Sequence, residues 1–503
     1  MNHSIKYSTM KLLAGICLAG GLLLSASCKK FLSTYSQNKT FAKTANDLEE
    51  LLIGQGYPSY ATPYWTRLMD DDVDGNPTTL YATGFPAYSL WNFHNWQPAP
   101  YFDYAGNDIQ DVNYFFTYQW ISALNTIIFD IPGMKENGQP ADQLERLSGE
   151  SHFLRALYYF NLTNLYGRPY SQVTAASDYA IPLKTDPAID DKIIPRSSVQ
   201  TVFDQIVSDL QTSEKELERY NENNSARANQ AAAQALLSRV YLYMSDYENA
   251  ILYANKVINK NRHSLLNLHT TPTGTIFLDK NSPENIFCAP VTGGGGLEVF
   301  MLPANTTFRA DNYKVSADLR GSFTANDLRP RFFFEMSSAG EQMYRKAGIN
   351  VTLRDDYSIR LPEILLNKAE ALAALGRNEE AAQTVQLLRK ARFAPDQLGT
   401  VTETGEALVR FIREERRREL CFESHRWFDL RRYAVNTRYP FEKSIRHTAF
   451  SYNNAGRFVA GYYELKPYSQ DKALYVAPIP NPEIEFNGGV IKNEERPARP
   501  VIK

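Results

Sequence analysis

The chain has 503 residues, with 54 basic and 56 acidic side chains, a formal charge of −2 and 43% hydrophobic residues. Together with a mean hydropathy of −0.40, this composition excludes a disordered chain, a collagen-like repeat and a polytopic membrane protein. The balanced charge argues against nucleic acid as a partner, because nucleic-acid binders carry a basic excess or stripe.

Lys6 and Lys11 precede an apolar run, Leu12–Leu24, and then Ser25-Ala26-Ser27-Cys28. A charged start, a short apolar stretch and small residues predict a secretory signal over residues 1–27. The run is too short to span a bilayer, which needs ~20 residues. The placement of Cys28 is similar to a bacterial lipobox, in which that cysteine is lipidated and becomes the new N-terminus. Ser25 departs from the pattern, since Leu usually stands three residues before the cysteine. The alternative is an ordinary cleaved signal beside an incidental cysteine. Lipidation would anchor the protein to a membrane without a spanning helix. Cys288 and Cys421 then remain, expected as two buried thiols, with a bridge between them as the alternative.

Residues 29–40 read as a polar tether, and a first helix is expected over Thr44–Leu52. Residues 54–108 are rich in Pro, Gly, Asn and aromatics without a sustained period, and read as loops. Helical spacing of apolar residues then predicts helices over Asp111–Phe129, Ala141–Tyr166 and Ser198–Tyr220. Ala235–Ile258 and Leu366–Leu388 align with Ala250 over Ala381, each an apolar helix, a short polar turn and a second helix opening on acidic residues. Gly376 in the second turn suits a helix C-terminus. This is similar to a tetratricopeptide-type pair, although a generic antiparallel hairpin would share the features. Between the pairs, residues 263–347 turn irregular and β-tolerant, with Gly293–Gly296 as a flexible loop. A last long helix is expected from Glu406 to Tyr433, followed by a tail of loop and short strand. The predicted class is mainly α: a tetratricopeptide-like helix-pair scaffold with long loop-rich insertions and minor β, in one domain over residues 28–503.

In the predicted last helix, Glu415, Glu419 and Glu423 recur every four residues and share a face. Like charges at that spacing repel, so the face needs arginines, from Arg416 and Arg426 or from another segment. Ile412, Leu420, Phe422 and Trp427 interrupt the charges, which predicts a partly buried ionic helix with a structural role.

That block belongs to an ordered series: Cys28-Lys29-Lys30-Phe31-Leu32, Gly149–Ala156 with Tyr166-Gly167, Arg360–Ala371, Glu415–Arg432, and Pro478–Ile484 with Asn487. The series resembles the SusD/RagB family of Bacteroidetes outer-membrane lipoproteins over nearly the whole chain. The resemblance implies four tetratricopeptide-like helix pairs supporting a loop-rich face. It implies binding of a nutrient glycan at the cell surface, without turnover, in complex with a SusC-like TonB-dependent transporter of the outer membrane. The RagB branch points to peptides as an alternative ligand.

The expected ligand face comprises the loops around residues 54–108 and 263–347, ahead of a C-terminal family block over residues 406–490. Trp65, Trp91, Asn92, Trp96, Tyr101 and Tyr104 crowd the first of these with further amides between them. Rings can stack on the apolar C–H faces of sugars while amides and carboxylates bond hydroxyls at the edge, a combination typical of ligand sites. Burial of most of these rings under the loops is the competing reading. Asp70-Asp71-Asp72-Val73-Asp74 packs four carboxylates into five positions. The run reads as a solvated turn or as hydrogen-bonding groups for a ligand, with Asp71 the candidate contact. A structural Ca²⁺ is a weaker alternative, because the spacing departs from an EF-hand loop. The Asp and Arg of Asn326–Arg331 read as structural partners. No H-E-x-x-H, G-x-S-x-G, Walker A or dinucleotide fingerprint is present. Paired acids for a surface glycosidase remain a three-dimensional question, and an interaction scaffold without a small ligand is a further alternative.

Overall fold

The computed structural model describes residues 42–503 apart from 60–63, 77–85, 104, 110–111, 189–191, 221–223, 291–300, 302–312, 338–339, 348–352 and 454–455. The signal stretch, Cys28, the tether, Tyr104 and Gly293–Gly296 lie outside the described residues.

Helix α1 (Ala45–Leu51) starts at Thr44, whose hydroxyl accepts from the Asp47 N–H while the Asp47 carboxylate accepts from the Thr44 N–H, a complete capping box. A short helix, α2 (Pro86–His94), interrupts the stretch expected to be all loop. The scaffold follows as α3 (Val112–Glu136), α4 (Ala141–Tyr166), α5 (Val199–Glu216), α6 (Gln230–Tyr243) and α7 (Tyr247–Ile258). From α3 to α7 each helix packs on the next. Ser198, Asn229 and Asp246 cap α5, α6 and α7 by accepting from a main-chain N–H three residues on, each cap contributing about 1 kcal/mol.

After the central excursion, α8 (Leu361–Ala374) returns to pack on α6 and α7, and α9 (Asn378–Lys390) folds back along it. Ala250 and Ala381 are fully buried, as close crossing of the paired helices requires. Gly376, at φ 83°, turns the chain between α8 and α9 in the left-handed conformation that glycine adopts most readily.

The expected single C-terminal helix is two helices, α10 (Gly405–Leu420) and α11 (Arg426–Ala434). Phe422 and Ser424 break it at φ 65° and 59°. Tertiary contacts hold the break: Phe422 packs edge-on against Tyr344, ring centroids 5.5 Å apart, and the Ser424 hydroxyl accepts from Arg67 Nε at 2.9 Å.

The described strands form two-stranded antiparallel pairs. β1 (Val73–Gly75) pairs with β5 (Tyr313–Val315), joining the early loop region to the central excursion. β2 (Tyr179–Pro182) pairs with β3 (Arg196–Ser198), β4 (Asn285–Pro290) with β8 (Leu353–Arg360), and β6 (Phe334–Met336) with β7 (Gln342–Tyr344). A hairpin that the sequence reading passed over, β9 (Ile445–Asn453) and β10 (Gly456–Leu465), follows α11. Ile502 bridges to Tyr462 at its edge, and the tail carries a short helix, Asn481–Phe486.

The ionic helix is more deeply buried than expected. Glu415 and Glu419 are fully buried on α10. Their partners come mostly from other segments: Glu419 meets Arg360 at 2.7 Å, Arg392 at 2.8 Å and Arg329 at 3.4 Å. Glu415 meets Arg329 at 2.8 Å, Arg418 at 2.8 Å and Arg389 at 3.2 Å. Glu423 pairs with Arg360 at 2.6 Å and with Lys346. Arg416 and Arg426, the partners suggested by spacing, pair instead with Asp429 (2.8 Å) and Asp71 (2.7 Å). Arg329 also holds Asp327 at 2.6 Å, the structural partnership expected of that block. Burial opposes ionisation of Glu415, yet the guanidiniums of Arg329, Arg418 and Arg389 hold its carboxyl at about 2. Such clusters favour one packing arrangement, because a mispaired buried charge is costly. Cys288 and Cys421 are free and buried, and burial pushes the Cys421 thiol up to about 12.

Candidate functional site

The aromatic-rich early region packs against the β9–β10 hairpin, and among its described rings Trp65, Phe93 and Trp96 turn inward. Trp65 is 6% exposed and stacks on Phe93 with centroids 4.4 Å apart. Trp96 is fully buried, its indole N–H donating to the Met69 carbonyl at 3.0 Å and its ring lying 4.3 Å from that of His447. These two indoles therefore present no face to a ligand, which corrects the expectation for both. The reason is energetic: an indole has more apolar area to bury than any other side chain, and Phe93 covers Trp65 while a segment some 350 positions away supplies the partner of Trp96.

Asp71 is corrected in the same way. It is buried, with Arg426 at 2.7 Å, Lys443 at 2.7 Å and Arg417 at 3.3 Å, while Asp72 holds Arg417 at 2.7 Å. Burial penalises the Asp71 charge, but Arg426, Arg417 and Lys443 together bring its carboxyl well below the usual range. Asp70 moves the other way, raised by burial and by the charges of Asp72 and Asp71. Among the described residues, Asp70, Asp71 and Asp72 form a group whose carboxylate oxygens lie within 4.8 Å, close enough to share a metal ion. The protein's own cations already compensate that charge, so the cluster serves as an ionic tie between the early loops and α10–α11.

His94 and His447 stack at 3.9 Å beneath this cluster, with His447 Nδ1 at 2.7 Å from the His94 carbonyl. Burial holds the His94 imidazole well below its ordinary range. A neutral ring at that position permits the close stack.

Trp91, Asn92 and Tyr101 are the predicted contacts that reach the surface, each half-buried. Asn92 spends its amide donors on the carbonyls of Ala99 (3.1 Å) and Phe102 (2.7 Å), closing the loop after α2. The Tyr101 hydroxyl donates to the Pro478 carbonyl at 2.8 Å, tying that loop to the C-terminal block. Both set the loop's shape and leave Trp91 at its edge. Trp91 meets Tyr463 of β10 edge-on, centroids 5.4 Å apart, and Phe458 and Val459 are exposed further along that strand. The aromatic edge thus combines α2 with β10. Sequence reasoning missed its second half, although the alternation in Ile445–Asn453 and the Asn-Asn-Ala-Gly sequence before Arg457 are hairpin signals.

Comparison with known proteins places this architecture. The model described as "SusD family" matches residues 332–495, and that described as "Starch-binding associating with outer membrane" matches residues 32–242. SusD-like protein P38 of Formosa agariphila is 26% identical over 342 residues, 56% of this chain and 65% of that protein, so the match spans just under two thirds of the relative. SusD-like protein P2 of the same organism is 24% identical over 407 residues, 70% of this chain and 74% of its own length. A SusD superfamily structure from Bacteroides thetaiotaomicron superposes with a TM-score of 0.69 at 24% identity, covering 90% of this chain and 100% of its own. A SusD-like carbohydrate binding protein from Bacteroides vulgatus gives a TM-score of 0.66 at 18% identity over 90% of this chain and 98% of that one. Two family models, over residues 32–242 and 332–495, together with the SusD-like relatives, lead to one conclusion: the chain belongs to the SusD family.

Proposed function

We propose that this protein binds a nutrient glycan at the bacterial cell surface and passes it to a SusC-like TonB-dependent transporter in the outer membrane, with Cys28 as the lipid anchor. The observation that carries the binding reading is the aromatic edge. Trp91 stands half-buried on α2 beside Tyr463, at the edge of a loop that Asn92 and Tyr101 hold in shape. A ring fixed at a surface edge can stack on a sugar face at little entropic cost. Family membership supports the same reading, as does the outer-membrane description of the model matching residues 32–242. The protein acts by binding without bond cleavage. Among the described residues no helix is long and apolar enough to cross a membrane, which suits attachment through lipid.

The test is a glycan and peptide array probed with the wild type, Trp91→Ala and Trp96→Phe. A retained oligosaccharide whose affinity falls about tenfold in Trp91→Ala, the loss expected from about 1.4 kcal/mol of apolar contact, and is unchanged in Trp96→Phe, supports the assignment. Retention of peptides alone transfers the proposal to the RagB-like reading, and sugar released on incubation transfers it to a surface glycosidase. Affinity purification from the native outer membrane checks the partner, which should copurify as a TonB-dependent channel.

A further inference from the structure

Four guanidiniums surround Tyr179 where the end of α4, the β2–β3 pair and the C-terminal segment meet. Arg196 stacks over the phenol at 4.0 Å and Arg168 lies at 5.6 Å, while Arg431 and Arg496 are within electrostatic reach of the same ring. Arg431 is 1% exposed and Arg496 9%. Arg168 pairs with Glu494, which also accepts from the Tyr179 hydroxyl. Among the described residues the other three meet no carboxylate within 4.0 Å. They donate to main-chain carbonyls instead: Arg196 to Ala180, Lys492 and Tyr166, Arg431 to Gly167, and Arg496 to Ala473 and Val476. Among the described residues Arg431 Nε and Nη1 and Arg496 Nε have no hydrogen-bond partner.

Four positive charges against one carboxylate is an imbalance absent from the core around α10, where Arg329, Arg360, Arg389, Arg392 and Arg418 each touch a carboxylate. Titration does not remove it. Burial lowers Arg431 and Arg496 only to about 10, so both stay protonated at neutral pH, and burial raises the Tyr179 phenol away from phenolate. A buried charge without compensation is unfavourable enough that a counter-ion is expected. Beside Tyr179 lies a cavity of about 10 Å³ bordered by Arg196, Arg496, Asn493 and Glu494. It has room for one water-sized body.

We propose that this cavity is a binding site for a single monoatomic anion, chloride in ordinary saline, held by the guanidiniums of Arg196 and Arg496 that border it. Glu494 borders the cavity, but its charge is already committed to Arg168 and the Tyr179 hydroxyl. The ion ties the C-terminal segment to α4 and β2–β3.

Crystals of the protein grown in sodium bromide test the site by anomalous scattering. A bromide peak touching Arg196 and Arg496 is the expected result, and cavity density without anomalous signal, the mark of a water, overturns the proposal. In solution, the melting temperature in sodium chloride or bromide should exceed that in sodium gluconate of equal ionic strength. The difference is about 2–3 °C when the halide is about 100-fold above its dissociation constant. Arg496→Gln should abolish this difference and Arg496→Lys should retain part of it. Equal halide dependence in the wild type and Arg496→Gln would mean surface screening and overturn the site. The wild-type measurements decide the question if the variants fail to fold.

Discussion

Glu419→Gln tests whether the buried ionic network holds this fold together. The carboxylate is fully buried and sits between Arg360 (2.7 Å), Arg392 (2.8 Å) and Arg329 (3.4 Å). The amide keeps the shape but removes the charge, and turns an N–H₂ donor toward guanidiniums that also only donate. Removing one member of a buried ion pair costs about 3–5 kcal/mol, because the opposite charge is left uncompensated. The neighbours soften the loss: Arg392 keeps Glu284 at 2.7 Å, Arg360 keeps Glu423 at 2.6 Å, and Arg329 keeps Asp327 at 2.6 Å. The expected loss is therefore ~3 kcal/mol, a large share of a total stability of about 5–15 kcal/mol. Equilibrium unfolding in urea measures it as a lowered midpoint at constant slope. Glu406→Gln is the control: its pair with Arg410 is on the surface, both side chains more than half exposed, and it should change stability by less than about 1 kcal/mol. Equal midpoints for the two variants would refute the claim that these charges are structural.

Acid should destabilise the protein from near pH 6.5 downward. Burial keeps His94 and His425 neutral in the fold, whereas each takes up a proton below 6.5 once unfolded, so stability falls by about 1.4 kcal/mol per pH unit for each imidazole. Despite burial, arginines hold Glu370 and Glu415 at about 2; their contribution is full above 4.5 and is lost as pH falls from there toward 2. A urea midpoint that rose between neutrality and mild acid would contradict this sign. Gly461→Ala should release the C-terminal residues from the hairpin, since the new methyl would lie 2.0 Å from the Ile502 carbonyl oxygen at φ 149°. Faster amide exchange at Ile502 and Tyr462 is the measurement, and unchanged exchange would count against it. Cys288 and Cys421 should react with a thiol reagent only after unfolding, because both are buried and burial raises Cys421 to about 12. Rapid labelling of two thiols in the native protein, with Cys28 replaced by serine, would contradict the burial.

The helical scaffold was legible because it depends on local order. Apolar residues at three- and four-residue spacing placed α4 at Ala141–Tyr166 as expected, and Gly376 marked its turn between paired helices. The Glu415–Glu419–Glu423 face was legible for the same reason, since a helix puts those positions on one side whatever surrounds them. Three-dimensional packing decided what that face meets: Arg329, Arg360 and Arg392 come from segments that nothing near α10 in sequence announces. The break after Leu420 was equally hidden, because Phe422 and Ser424 take positive φ where they meet Tyr344 and Arg67, which lie far off in sequence. Ring exposure was the least legible property. Trp91 and Trp96 stand five positions apart in the same composition, yet His447 covers one and leaves the other at the surface. Secondary structure follows from neighbours along the chain, whereas burial is fixed by whichever distant segment arrives to pack, and periodicity carries no information about that arrival.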